Sequence, residues 1–291
     1  MDRFDMLFNH EDVNKDTLAI NSNLTTEQID LLYSTEDVRK DQLAQYSKLT
    51  DEQFNRFFNH EDVNKNYLAR NRNLTTEQID LLYSPEGVNK NDLAKYSKLT
   101  DEQFNLMFNH EYVNKNYLAR NPHLTTEQID LLYSTEGVDK NYIAQYSKLT
   151  DEQFNRFFND SDVNKDPLAS NPNLTTEQID LLYSTAGVDK DFLAQNSKLT
   201  AEQFMRFFND EDCDKDYLAM NSYLTTKQID LLYAWRGVDK AYLAMNSKLT
   251  DEQFNRFYGD SEVDKNYLSD NPSINPLPLK KWQAGIFNWS W

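Results

Sequence analysis

The sequence predicts an all-α fold, an α-solenoid superhelix of about eleven 25-residue two-helix repeats with a 50-residue super-period and a C-terminal capping tail. Three observations predict it. First, the 291 residues divide into a truncated unit at 1–23, ten units of one repeated pattern over 24–273, and a tail at 274–291. A fixed period of this length marks a single stack, here 1–273, in which each unit touches its neighbours. Second, every full unit opens on the same helix-start signal and continues with apolar residues at helical spacing. Third, no stretch alternates apolar and polar residues with period two, and Leu-x-x-Leu-x-Leu is absent, which argues against the strand-forming leucine-rich repeat.

Each element of a unit has its own warrant. Thr25 is followed three residues later by Gln28, so hydroxyl and amide can satisfy two orphan backbone donors reciprocally, and Leu24 and Ile29 stand where a hydrophobic staple needs them. Glu27 in the first turn suits the helix dipole. Ile29, Leu32 and Tyr33 then form an apolar stripe on a helix of about three turns. Ser34 to Asp37, and Ser-Pro-Glu-Gly at 84–87, read as a turn. A second short helix carries Val38, Leu43 and Ala44 inward. It ends in most units at an Asn such as Asn71 or Asn121, expected in the left-handed C-terminal position, and Pro122, Pro172 and Pro272 follow where a helix cannot continue. No unit buries enough apolar surface to offset the entropy of ordering its own 25 residues, so stacking must supply burial on both sides. Layers about 8–10 Å apart give the stack a contour of roughly 90–110 Å.

Units alternate between two kinds, with Ile at the sixth place (Ile29 to Ile229) or Phe there (Phe54 to Phe254). Units of one kind are near copies: 49–73 and 99–123 differ at five of 25 places, the mark of expansion by duplication. The string from Val113 through Lys115, Leu118, Ala119, Asn121, Pro122, Leu124, Thr125 and Glu127 to Leu132 resembles the leucine-rich repeat variant and, more loosely, HEAT-type repeats. The resemblance covers about residues 1–273, departs from the usual variant in its 25-residue length and in a Lys after the Val, and implies a short 3₁₀ segment alternating with an α-helix in a right-handed superhelix. It carries over no catalytic residue.

Composition sets the remaining bounds. Hydrophobic residues make up 39%, and no apolar run approaches the ~18 residues of a membrane span. Met1-Asp2-Arg3-Phe4-Asp5 lacks the basic and apolar regions of a secretory signal, and the single Cys213 stands where other units have Val, so a cytoplasmic, reducing location is expected. A net charge of −18 opposes direct binding to nucleic acid or anionic lipid.

Chemistry is sparse. His10, His60 and His110 are 50 residues apart, too far by layer spacing to share a metal, paired carboxylates such as Glu61-Asp62 have no nucleophilic neighbour, and no glycine cluster exists to cradle a phosphate. Neither enzymatic activity, cofactor nor metal is expected. A lysine occurs at one place in all eleven segments, Lys15 to Lys265, and is expected to pair with carboxylates of its own or the next unit, as Lys65 with Glu61 or Asp62.

The varied places are more informative in a protein of near copies. Two residues after that lysine stand Tyr67, Tyr117, Tyr142, Phe192, Tyr217, Tyr242 and Tyr267, and three further on stand Arg70, Arg120, Met220 and Met245. These places share a helix face, and Tyr, Arg and Met are enriched at protein interfaces. The rings pack equally well, on the other reading, against the Val four residues earlier. The tail, after Pro276 and Pro278, holds Trp282, Trp289 and Trp291, expected to cover an open apolar end or else to insert into a partner. The expected function is a non-enzymatic scaffold that binds a protein or peptide on its superhelical surface. The alternative is an acidic mimic of nucleic acid, carried by the row of helix-start acids from Glu27 to Glu252 on a rod of duplex length.

Overall fold

The computed structural model describes residues 2–274. They form 22 α-helices, two per unit, from Arg3–Phe8 and Lys15–Ala19 in the first to Asp251–Gly259 and Lys265–Ser269 in the last. In the full units the first helix has eight or nine residues, and the second has seven in the Ile units and five in the Phe units. All ten threonines from Thr25 to Thr250 cap their helices with the reciprocal Gln bond in place. The second helices have caps as well: Asn14, Asn64 and Asp139, for example, accept from the backbone N–H two residues on. These are α-turns rather than the 3₁₀ segments the resemblance implies, although i→i−3 bonds flank them, such as Tyr67 N–H to Asn64 and Asn71 N–H to Leu68. Ile29 and Leu32, Phe54 and Phe57, and the Leu-Ala pairs of the second helices are fully buried between the two layers.

Asn71 and Asn121 do not take the left-handed position, since among the described residues only Gly87, Gly137 and Gly187 have positive φ. These asparagines are buried clamps. The Asn71 amide donates to the carbonyls of Ala44 and Ser47 in the preceding unit, at 2.7 and 2.8 Å, while its Oδ1 accepts from Asn73 N–H. Asn121, Asn171, Asn221 and Asn271 repeat the arrangement one super-period at a time.

The stack is not an open superhelix. Asn21 of the first unit makes the same clamp onto the last, donating to Ser269 and Asn271 carbonyls at 2.9 and 3.0 Å. A second ladder runs along the starts of the second helices, where an Asp or Asn side chain of one unit accepts from a backbone N–H of the next. It is present at ten of the eleven junctions, counting the junction from Asn266 to Asn14, and is missing only where Ala241 stands. The first unit therefore docks on the last in repeat register, and eleven units close into a ring. Arg3 occupies the place of the capping Gln and spans the seam, donating to Ser273 O at 2.6 Å, Asp251 Oδ1 at 2.6 Å and Leu249 O at 3.3 Å. His10 packs edge-on against Tyr258 across it, as His60 does on Tyr33 at an internal junction.

Consecutive second helices pack backbone to backbone all the way round, Lys265–Ser269 on Lys15–Ala19 included, whereas consecutive first helices meet through side chains. The second helices thus form the inner wall and the first helices the rim. With inner helices about 8–9 Å apart and about 10–12 Å thick, the wall encloses an opening of roughly 15–20 Å. The expected capping tail falls on residues outside those described. The apolar layer it was expected to cover is occupied at the last unit by the first, and Ile274 is fully buried there.

Candidate functional site

The inner wall brings together the side chains at the two varied places. Three reach a neighbour in the next unit: Arg70 Nε lies 3.0 Å from Asp92 Oδ2, the Arg120 guanidinium sits 3.7 Å from the centre of the Tyr142 ring, and Gln195 donates to Met220 Sδ. Tyr67, Tyr117, Tyr142, Phe192, Tyr217 and Tyr242 are half-buried against the core, and Tyr267 is exposed. One side of each half-buried ring packs inward, as the core reading expects, and the rest faces the opening. Trp282, Trp289 and Trp291 lie outside the described residues.

The wall has two unlike arcs. From Phe192 to Tyr267 the two varied places carry Phe, Tyr and Met with uncharged Gln195, while Lys198 and Lys248 stand in the repeat place of Lys98. From Tyr67 to His123 it carries Arg70, Arg72, Lys95, Lys98, Arg120 and His123. Burial first, then the charges of Lys98 and Arg72, hold the His123 imidazole below its ordinary range, so these three groups share one neighbourhood. Arg72 and Lys95 both lie over the Tyr96 ring, at 5.7 and 4.6 Å. Among the described residues Arg72, Lys95, Lys98 and Arg120 have no carboxylate within salt-bridge distance.

Cations elsewhere are largely committed to the scaffold. Ten of the eleven lysines of the repeated row lie over the aromatic ring seven residues earlier in their own unit, at 4.6–6.0 Å. A carboxylate of the next unit joins them only at Lys140, Lys190 and Lys240, where Asp160, Asp210 and Asp260 replace the histidine. Lys65 lies over Phe58 and makes no ion pair with Glu61 or Asp62 among the described residues. Lys190 and the Tyr183 hydroxyl hold the Asp210 carboxyl down to about 2, and Asp160 and Asp260 are lowered in the same way. Arg56, Arg156, Arg206 and Arg256 pair with aspartates of the preceding unit.

His60 and His110 each meet a tyrosine ring of the preceding unit edge-on, and no metal-holding group of His, Cys, Asp or Glu occurs among the described residues. Cys213 is buried in the Val place, and burial, with the nearby Asp191 charge, pushes its thiol up to about 12. No described helix is long and apolar enough to cross a membrane.

At the seam end of the cationic arc lies a cavity of about 600 Å³, lined by Ile20, Ser22, Gln45, Tyr46, Arg70, Arg72, Asn73, Tyr96 and Asp270. Sequence reasoning placed Arg70 in a site but missed Arg72, Tyr46 and Tyr96, which occupy other places in the unit. The available signal was that Arg, Lys, Arg fall consecutively at 70, 95 and 120 while the other eight units have no cation there. It also missed the exposed rim leucines Leu31, Leu81, Leu131, Leu181 and Leu231, one per super-period. No protein-family model, curated protein or solved structure matches the chain.

Proposed function

We propose that this α-helical repeat protein is a non-enzymatic binding ring, whose inner wall holds a segment of a protein or peptide. One observation carries the reading: in units that are otherwise near copies, the two varied places converge on one continuous, partly exposed wall. The apolar arc at Phe192, Tyr217, Met220, Tyr242, Met245 and Tyr267 is the partner surface, because half-buried aromatic and Met side chains offer apolar area with little left to desolvate. The opening suits an extended segment or a single helix of about 10–12 Å diameter. Within this proposal belong kinship with leucine-rich repeat variant or HEAT-like proteins, supported by the alternation of longer and shorter helices, and a cytoplasmic site of action. The acidic-mimic alternative drew on a rod of duplex length, which a closed ring does not offer.

Selection of a displayed random-peptide library on the full chain tests the proposal. Enriched peptides should bind with little change between 50 and 500 mM salt, as apolar contacts require. The Tyr217→Ser, Tyr242→Ser double variant should bind them about tenfold more weakly or worse, with unchanged circular dichroism. Failure to enrich any peptide, or undiminished binding by the variant, would refute it.

A further inference from the structure

The cavity at the seam belongs to a different part of the wall from the proposed peptide surface, and its chemistry is different. Asp270, Ile20, Gln45 and Arg70 are the same place in four successive units, counted from the last unit through the first to the third, so the cavity exists only because the ring is closed. Its polar groups divide into three kinds. Arg70 and Arg72 supply two guanidiniums, the first fixed through its Nε by the buried carboxylate of Asp92, and the second resting on Tyr96. Such planar forks match phosphate oxygens bidentately. Tyr46, a residue 41% exposed, lines the cavity and offers a ring on which a planar ligand ring can stack. Asp270, Gln45, Asn73 and Ser22 supply short-range acceptors and donors, and Asp270 is partly buried, its carboxylate with no hydrogen-bond or ion-pair partner among the described residues. Burial alone pushes its carboxyl up to about 6, as expected of a desolvated acid awaiting a donor. Beyond the cavity the cations continue through Lys95, Lys98, Arg120 and His123, without intervening carboxylates except Asp92 on the wall.

We propose that this cavity binds a nucleotide-class ligand, a small molecule that joins a planar ring to phosphate, with Arg70 and Arg72 on phosphate oxygens, Tyr46 against the ring, and Asp270 accepting from a ligand hydroxyl or amino group. The volume suits such a ligand, since small-molecule sites span about 300–1,000 Å³. A long nucleic acid is disfavoured by the net charge of −18, whereas a small ligand meets mainly the local cations. The cations past the cavity accommodate further phosphates. The proposal does not rest on the peptide reading, which uses the adjoining arc from Phe192 to Tyr267.

The test is calorimetric titration of the full chain, in chelator-containing buffer, with three probes: ATP, adenosine and inorganic tripolyphosphate. ATP should bind measurably, and adenosine and tripolyphosphate each at least about tenfold more weakly, because each makes only part of the contacts. Arg72→Gln and Tyr46→Ser should each weaken ATP by about tenfold or more with unchanged circular dichroism, while Arg256→Gln on the rim should not. Opening the seam by Arg3→Ala with Asn21→Ala should also weaken ATP, although every cation lining the cavity remains. No ATP binding at millimolar concentration would overturn the proposal. Tripolyphosphate binding as tight as ATP would reduce the arc to a plain anion patch, and binding indifferent to Arg72 and Tyr46 would place the ligand elsewhere; either result overturns it too.

Discussion

Ring closure makes a demand on Arg3 that no internal residue faces. Its guanidinium donates to the buried carbonyl of Ser273, shares a pair of longer bonds with Leu249 O, and pairs with an Asp251 side chain that is 84% exposed. A buried hydrogen bond from a charged group is worth about 1.5–3 kcal/mol and the exposed ion pair about 0–1 kcal/mol, so Arg3→Ala should weaken the seam by about 3 kcal/mol. That raises the ratio of open to closed ring by about a hundredfold, without removing any contact inside the other ten junctions. Spin labels on cysteines introduced at the exposed positions Asp12 and Glu262 report the change directly. Cys213 does not compete for the label, because it is buried and its thiol ionises only near pH 12. In the unmodified protein the labels should sit about one layer spacing apart, roughly 10–20 Å once label length is included. Arg3→Ala, and more strongly Arg3→Ala with Asn21→Ala, should add a population several tens of ångströms apart while helicity stays constant. A broad, long distance in the otherwise unmodified protein would refute closure. An unchanged short distance in the double variant would refute the role given to these two residues.

Further expectations concern the junctions. Asn171→Ala strands the buried carbonyls of Ala144 and Ser147 and should lower stability by about 2–4 kcal/mol in chemical denaturation. The Asp210 carboxyl titrates near 2 in the fold against an ordinary value near 4, so its stabilisation is complete above about pH 4 and disappears as the pH falls toward 2. Asp210→Asn should therefore lower the melting temperature at pH 6 and flatten its dependence between pH 5 and 2. Deleting 74–123 preserves the repeat register, yet nine units must each turn about 40° instead of about 33° to close. Circular dichroism per residue should be retained while small-angle scattering shows the shortened stack to be open. Ser147, whose buried hydroxyl has no partner, should become Ala with a gain of about 1 kcal/mol in the same denaturation assay.

Much of the unit was legible because its signals are local. Thr25 with Gln28, or Thr250 with Gln253, can satisfy each other only in one geometry, and all ten such pairs do so. Cys213 in a Val place reads as a small buried residue for the same reason. What sequence reasoning missed acts between units. Asn71 has two good uses, a left-handed helix end and an amide clamp, and the choice depends on a carbonyl 27 residues away. The row of lysines was assigned to carboxylates, which Lys140, Lys190 and Lys240 do reach in the next unit, whereas Lys65 lies over the ring seven residues back and reaches none among the described residues. Curvature is less legible still. It arises from inner helices standing closer together than rim helices, a small difference in spacing that no single residue type announces, and about 33° per unit is what distinguishes a ring from a superhelix.

The count of units supplies one more argument, because eleven is odd and the two kinds of unit alternate. A closed ring must then place two units of the same kind side by side, and the seam does so, joining the last Phe unit at 249–273 to the first at 1–23. At every other junction a Phe unit receives its clamp partner from an Ile unit, which contributes a Tyr at its tenth place for the histidine or aspartate that follows. The last Phe unit therefore has to behave as an Ile unit on its far side. It carries Tyr258 where Phe58, Phe108, Phe158 and Phe208 stand in its siblings, and that ring meets His10 as Tyr33 meets His60. From the other side Arg3 replaces a Gln and reaches two backbone carbonyls as well as Asp251, whereas the Gln78 amide at an internal junction of this sense donates across it to Asp51 alone. Two departures from the repeat, one in each end unit, thus have a single physical cause, the mismatch that an odd ring imposes. On this reasoning Tyr258→Phe should loosen the seam and leave the ten internal junctions as they are.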